Sequence, residues 1–333
     1  MINRYTLTII AALVLAGCGS QVAPTGMTGA ASTRAPHKAS SSSNDLLYGS
    51  VLNRPTVTMF TYPEGVLEAT FDTPNDATAS GECADASGNV FVTAYTGASK
   101  GSFSGYVFEY EHGATTPSAS LSEGPYEPLA CSVDLTTGNL AVANFYYNQS
   151  QDTAGNVAVF AGGQGQPSFF TDSAIQTYNS VTYDGEGNLY VLGYAGGTQP
   201  YRFAELPAGS GNFTNITVPT LKRPLRIQWD GQYVAVLGGR IGHGKHSAPI
   251  IYRMAMSGSS GTVVGRTKFR GLGDGAGDGF WIQGNQLVLQ DGHLHGHEML
   301  GIFDYPAGGK PTKAIKYSGS DIDDFAVSVG GSH

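Results

Sequence analysis

The stretch Asn179-Ser180-Val181-Thr182-Tyr183-Asp184-Gly185-Glu186-Gly187-Asn188-Leu189-Tyr190-Val191 decides the fold. It reads as a short strand, a tight turn and a second strand. A Gly-Asn pair between two alternating apolar runs is a strong hairpin signal, because the turn needs residues that accept positive φ. The phrase recurs. Gly88-Asn89 leads into Val90–Tyr95, Gly138-Asn139 into Leu140–Phe145, Gly231-Gln232 into Tyr233–Leu237, and Gly284-Asn285 into Gln286–Gln290. Successive turn glycines lie 50, 49, 44 and 53 residues apart. Each unit carries two further strands after the turn, such as Tyr106–Tyr110 or Ile250–Met254, and four antiparallel strands per repeat of that length make one propeller blade.

Five units are complete, and pieces of a sixth stand at the two ends. Asp45–Ser50, Thr56–Tyr62 and Glu68–Thr73 supply its second, third and fourth strands, and Asp324–Val329 supplies the first. The expectation is an all-β, six-bladed β-propeller over residues 45–333, closed by its C-terminal strand so that no sheet edge is left open at the seam. No stretch repeats its apolar residues every 3.6 positions, so almost no helix is expected.

Composition agrees. The 333 residues include 47 glycines and only 13% charged residues, which suits many short strands joined by tight turns. The formal net charge is −8, with no run of Lys or Arg, so the basic footprint of a nucleic-acid-binding protein is missing from the sequence. A monomer is expected.

Residues 1–17 read as an export signal: Arg4 gives a positive start and Leu7–Ala16 an apolar run too short to span a bilayer. The run ends in Leu15-Ala16-Gly17-Cys18, which resembles a bacterial lipobox. That resemblance implies lipidation of Cys18, attachment to a membrane, and a place in the cell envelope as an outer-membrane or cell-surface lipoprotein. Residues 18–44, with Ser40-Ser41-Ser42-Ser43, read as a flexible tether. With Cys18 modified, Cys83 and Cys131 remain. Both fall on first strands of neighbouring units, and an exported chain meets oxidising conditions, so a Cys83–Cys131 disulfide is expected.

The turn phrase at Asn179–Val191 resembles the repeat of NHL-type propellers and is similar to that of gluconolactonase-like six-bladed propellers. The resemblance covers roughly residues 45–333. It implies the fold, and it leaves open an enzyme or a binding module. Gluconolactonase-like enzymes hold a divalent cation at the channel mouth through Glu, Asn and Asp side chains at the starts of innermost strands. The corresponding positions here are Ser80, Leu129, Asn179, Leu225, Asp278 and, in the closing blade, Asp323 or Asp324. Asn179, Asp278 and Asp323 are therefore candidate calcium ligands, although the pattern lacks a clear glutamate. A second candidate metal site lies in two histidine-bearing loops, with His243 and His246 in one and Asp291, His293, His295 and His297 in the other; neutral imidazole suits zinc. Tyr95, Tyr146, Tyr147 and Tyr194 end second strands and could stack on a carbohydrate or peptide ligand. There is no nucleophile elbow. The first expectation is an exported binding or scaffold module that engages a protein, peptide or carbohydrate. The alternative is a metal-dependent hydrolase or lyase with its site at the channel mouth.

Overall fold

The computed structural model describes residues 44–97, 102–147, 150–196, 200–239, 249–272, 279–290, 298–317 and 321–331. Its strands run in chain order. β1 (Leu46–Val51), β2 (Thr56–Thr61) and β3 (Leu67–Asp72) are followed by β4 (Thr78–Ala84), β5 (Val90–Thr96), β6 (Ser104–Tyr110) and β7 (Ala119–Gly124). Next come β8 (Tyr126–Val133), β9 (Leu140–Tyr147), β10 (Ser150–Phe160) and β11 (Ser168–Phe170), then β12 (Thr177–Tyr183), β13 (Leu189–Tyr194), β14 (Tyr201–Leu206) and β15 (Thr214–Ile216). The last are β16 (Arg226–Trp229), β17 (Val234–Gly238), β18 (Ile250–Ser257) and β19 (Ser260–Lys268), followed by β20 (Phe280–Gln283), β21 (Gln286–Gln290), β22 (Glu298–Asp304), β23 (Lys313–Tyr317) and β24 (Ile322–Ser328).

These strands form six four-stranded antiparallel sheets. Five take their strands in chain order, as blades 2 to 6. Blade 1 has the order β24-β1-β2-β3, so the C-terminal strand is its innermost member, paired from Leu46↔Ser328 to Ser50↔Asp324. The protein is a six-bladed β-propeller closed at that seam. Helix is confined to two three-residue 3₁₀ turns among the described residues.

The repeated turn is built as the sequence requires. Gly88, Gly138, Gly187, Gly231 and Gly284 all have positive φ. The aspartate ahead of the turn folds back on it: Asp85 Oδ1 accepts from the amides of Ser87 and Asn89, and Asp184 Oδ1 from those of Glu186 and Asn188. These aspartates lie at the end of the ring opposite the starts of the innermost strands, and their acceptors are engaged within the turn.

The core is divided among the blade interfaces. Six apolar clusters are present, one between each pair of neighbouring blades. Tyr48, Phe60, Phe108, Phe160, Phe203 and Phe325 are among their largest fully buried side chains. Cys83 and Cys131 form a disulfide, with Cα atoms 5.6 Å apart, inside the cluster between blades 2 and 3.

Candidate functional site

The mouth of the channel is where the innermost strands start and the second strands end. Four innermost strands carry a β-bulge there. The ladders skip Ser80 in β4, Glu127 and Leu129 in β8, Asn179 in β12 and Asp323 in β24. A bulge leaves one residue unpaired and re-aims its side chain. Four of the aligned positions, Ser80, Leu129, Asn179 and Asp323, are thus bulged residues, whereas Leu225 precedes the regular ladder of β16 and Asp278 lies outside the described residues.

At and past the bulges, polar side chains fasten the innermost strands of blades 2 to 6 to one another. An innermost strand has an open edge whose amides and carbonyls need partners. Ser80 Oγ donates to Pro128 O at 2.6 Å, and Ser132 Oγ accepts from Tyr183 N at 3.0 Å. Ser180 Oγ accepts from Ile227 N, and Thr182 Oγ1 accepts from Trp229 N. Gln228 donates to Ile282 O at 3.1 Å and accepts from Ile282 N at 2.7 Å. Asn179 belongs to this set. Its Nδ2 donates to Leu225 O, and its own carbonyl accepts from Arg226 at 3.0 Å. The strands approach so closely here that a Cβ on Gly81 would strike Leu129 O, and one on Gly279 would strike Asp323 O.

Blades 1 and 2 are joined by carboxyl groups instead. Asp324 sits one residue past its bulge, as Ser180 does, and accepts from the backbone amides of Glu82 and Phe325. At the seam between blades 1 and 2 the fastening is therefore made by an acid. Burial pushes Asp324 up to about 7, against the pull of the Arg226 guanidinium on blade 5. Glu82 is fully buried beside it. Burial first, and then the Asp324 charge, hold Glu82 well above the usual carboxylate range. Neither Glu82 oxygen makes a hydrogen bond of good geometry, although Ser50 Oγ stands close enough to favour the charged form. A glutamate is thus present two residues past the aligned position of β4. Its sequence signal is a lone acid inside the apolar strand Gly81-Glu82-Cys83-Ala84, and the side chain is fully buried beside Ser50 and Asp324 of blade 1.

A second buried polar group lies at the same end, between blades 2 and 3. Asn144 Nδ2 donates to Glu123 Oε2 at 2.9 Å and to Asn156 Oδ1 at 2.8 Å. Glu123 has no exposed surface, and burial pushes its carboxyl up to about 8. Nearby, burial raises Glu127 to about 7.

The aromatic candidates divide. Tyr194 is buried and donates to Pro224 O at 2.9 Å. Tyr95 is half-buried, edge-on to Phe103 at 5.3 Å, and is raised to about 12 by burial and by Glu127 and Asp323. Tyr146 is half-buried against Phe145. The side chain of Tyr147 lies outside the described residues, as do Cys18, His243, His246, Asp278, Asp291, His293, His295 and His297. Asp323 is described and half-buried. Among the described residues no three His, Cys, Asp or Glu side chains are placed to hold one metal ion.

The channel itself is crossed by an indole. Trp281, on the innermost strand of blade 6, packs against the cluster between blades 6 and 1. It also packs against the disulfide-bearing cluster between blades 2 and 3, on the far side of the ring.

No protein-family model matches the chain, and no curated protein is similar to it. Solved structures do resemble it. The likeness is one of fold. A Bacteroides caccae protein of unknown function matches with a TM-score of 0.60 and 12% identity, over 86% of this chain and 99% of that one. The Dos1 propeller matches with a TM-score of 0.46 and 14% identity, over 85% of this chain and 70% of its own.

Proposed function

We propose that this propeller is a non-catalytic binding module of NHL-like ancestry, held at a cell-envelope membrane by a lipid on Cys18. A metal-dependent hydrolase needs several polar groups converging on an open, concave site. At this mouth Ser80, Asn179 and Asp324 are engaged with the backbone of the next blade, and deeper in the ring Trp281 of blade 6 packs against the cluster between blades 2 and 3. That engagement is the observation that carries the reading. A module of this kind presents a rigid outer face, with the half-buried Tyr95 and Tyr146 among its contacts, to a protein, peptide or carbohydrate.

Two measurements test it. In detergent phase separation, the full chain should enter the detergent phase and the Cys18→Ser variant should stay in the aqueous phase. The purified chain, supplied with calcium or zinc, should hydrolyse neither lactones nor peptide amides above background. Metal-dependent turnover that is lost on Asn179→Ala would replace the binding reading with the lactonase-like one.

A further inference from the structure

The charge of the chain is unevenly placed. Thirteen of its 18 Lys and Arg residues lie between Arg202 and Lys316, whereas 16 of its 26 Asp and Glu residues lie between Asp45 and Glu186. Within the basic arc, the fold gathers four cations that the sequence does not show as a run. β19 is the outermost strand of blade 5 and, with nine residues, the longest outermost strand of the ring. Along it and just past its end, Arg266, Lys268 and Arg270 are exposed while Thr267 and Phe269 are buried. Residues two apart on an extended chain share a face at a spacing of about 6.8 Å. Lys222, from the segment between β15 and β16, faces this row across a groove of about 590 Å³.

The floor of the groove is apolar. Tyr252 and Ile250 pair across the ladder with Arg266 and Lys268, so the cations stand over them. The Arg266 guanidinium lies 5.7 Å from the centre of the Tyr252 ring. Thr220 and Arg266 also line a second hollow of about 510 Å³ that continues along the start of β19. None of the described residues lining either hollow is acidic.

Four like charges around one concavity repel each other, and the described residues that line it place no acid among them. Cations on an edge strand guard it against pairing with another strand. That role explains neither Lys222 on the opposite wall nor the groove between.

We propose that this groove binds a phosphate-bearing polyanion. Arg forks and Lys ammonium groups both suit phosphate oxygens, and Thr220 adds a hydroxyl donor. Charge density favours phosphate over an acidic peptide. The row from Arg266 to Arg270 spans about 14 Å, along which an extended acidic strand brings only about three carboxylates to one face. Linked phosphates bring more charge in less length.

Inorganic tripolyphosphate is the probe, titrated by calorimetry into the full chain carrying Cys18→Ser so that no lipid is attached. One saturable site is expected. It should weaken roughly tenfold in Arg266→Gln and again in Lys268→Gln, as loss of a charge-assisted contact requires. Lys316→Gln, exposed on β23, should leave it unchanged. Vesicles of phosphatidylcholine with and without phosphatidylglycerol distinguish the sources. Binding to the anionic vesicles that tripolyphosphate displaces assigns the groove to a lipid headgroup, and no vesicle binding assigns it to a soluble phosphate compound. The proposal is overturned if tripolyphosphate shows no saturable binding, if Arg266→Gln and Lys268→Gln leave the affinity unchanged, or if hexaglutamate binds as tightly.

Discussion

Replacing Glu123 by Gln should stabilise the protein, by an amount that depends on pH. In the folded chain burial raises the Glu123 carboxyl from 4.5 to about 8. In the unfolded chain it titrates near its ordinary value. Between these pH values the folded state binds a proton that the unfolded state does not, so stability falls as pH rises. The contribution is fully present below about pH 4 and is lost as pH climbs through about 8. At roughly 1.4 kcal/mol per pH unit, the penalty reaches about 3 kcal/mol at pH 7 and approaches 5 kcal/mol above pH 8. A Gln side chain carries no such penalty. It keeps an acceptor for Asn144 Nδ2 and places an amide at the position of Glu123 Oε1, which has no partner now. Urea unfolding of both proteins, near pH 4 and near pH 8.5, reads the effect. E123Q should match the wild type at the lower pH and exceed it by about 3 kcal/mol or more at the higher. A variant that is equally stable at both pH values, or less stable at the higher one, would refute the placement of a neutral carboxyl in this seam.

Two further outcomes follow from the seams between blades. Replacing Cys83 and Cys131 together by Ser releases a loop closed over a sequence separation of 48. Chain-entropy reasoning puts the loss at about 4 kcal/mol, visible as a lower denaturant midpoint against the oxidised wild type. Gly81→Ala sets a methyl against Leu129 O and should destabilise by about 1–3 kcal/mol in the same assay, with the disulfide still formed.

The fold could be read from the sequence because its determinants are local. Each Gly-Asn or Gly-Gln turn states its own hairpin, and five copies state the period. The closing strand was legible because Phe325–Val329 is an apolar strand left without partners, while the blade begun at Leu46 lacks an innermost strand. The disulfide was legible for a related reason, since Cys83 and Cys131 occupy nearly equivalent places in neighbouring repeats. What was not legible depends on the direction of single side chains. Asn179 stands where a ligand to a cation would stand, yet its amide turns sideways to Leu225 O. Glu82 sits two residues past the bulge, and the seam into which it points is made by the other end of the chain. The basic groove leaves no charge run in the sequence, because its cations alternate with Thr267 and Phe269 along a strand and meet Lys222 only in the fold.

On the proposed reading, Ser80, Asn179 and Asp324 fasten blades rather than ligate a cation. The most direct measurement is the melting temperature of the wild type and of Asn179→Ala, each with and without millimolar calcium. A fastener lost from a half-buried seam costs about 1 kcal/mol, because Leu225 O loses its donor. The account predicts that Asn179→Ala melts lower than the wild type without calcium and that calcium leaves the gap unchanged. A variant as stable as the wild type without calcium, and deaf to a calcium-induced rise that the wild type shows, would contradict it.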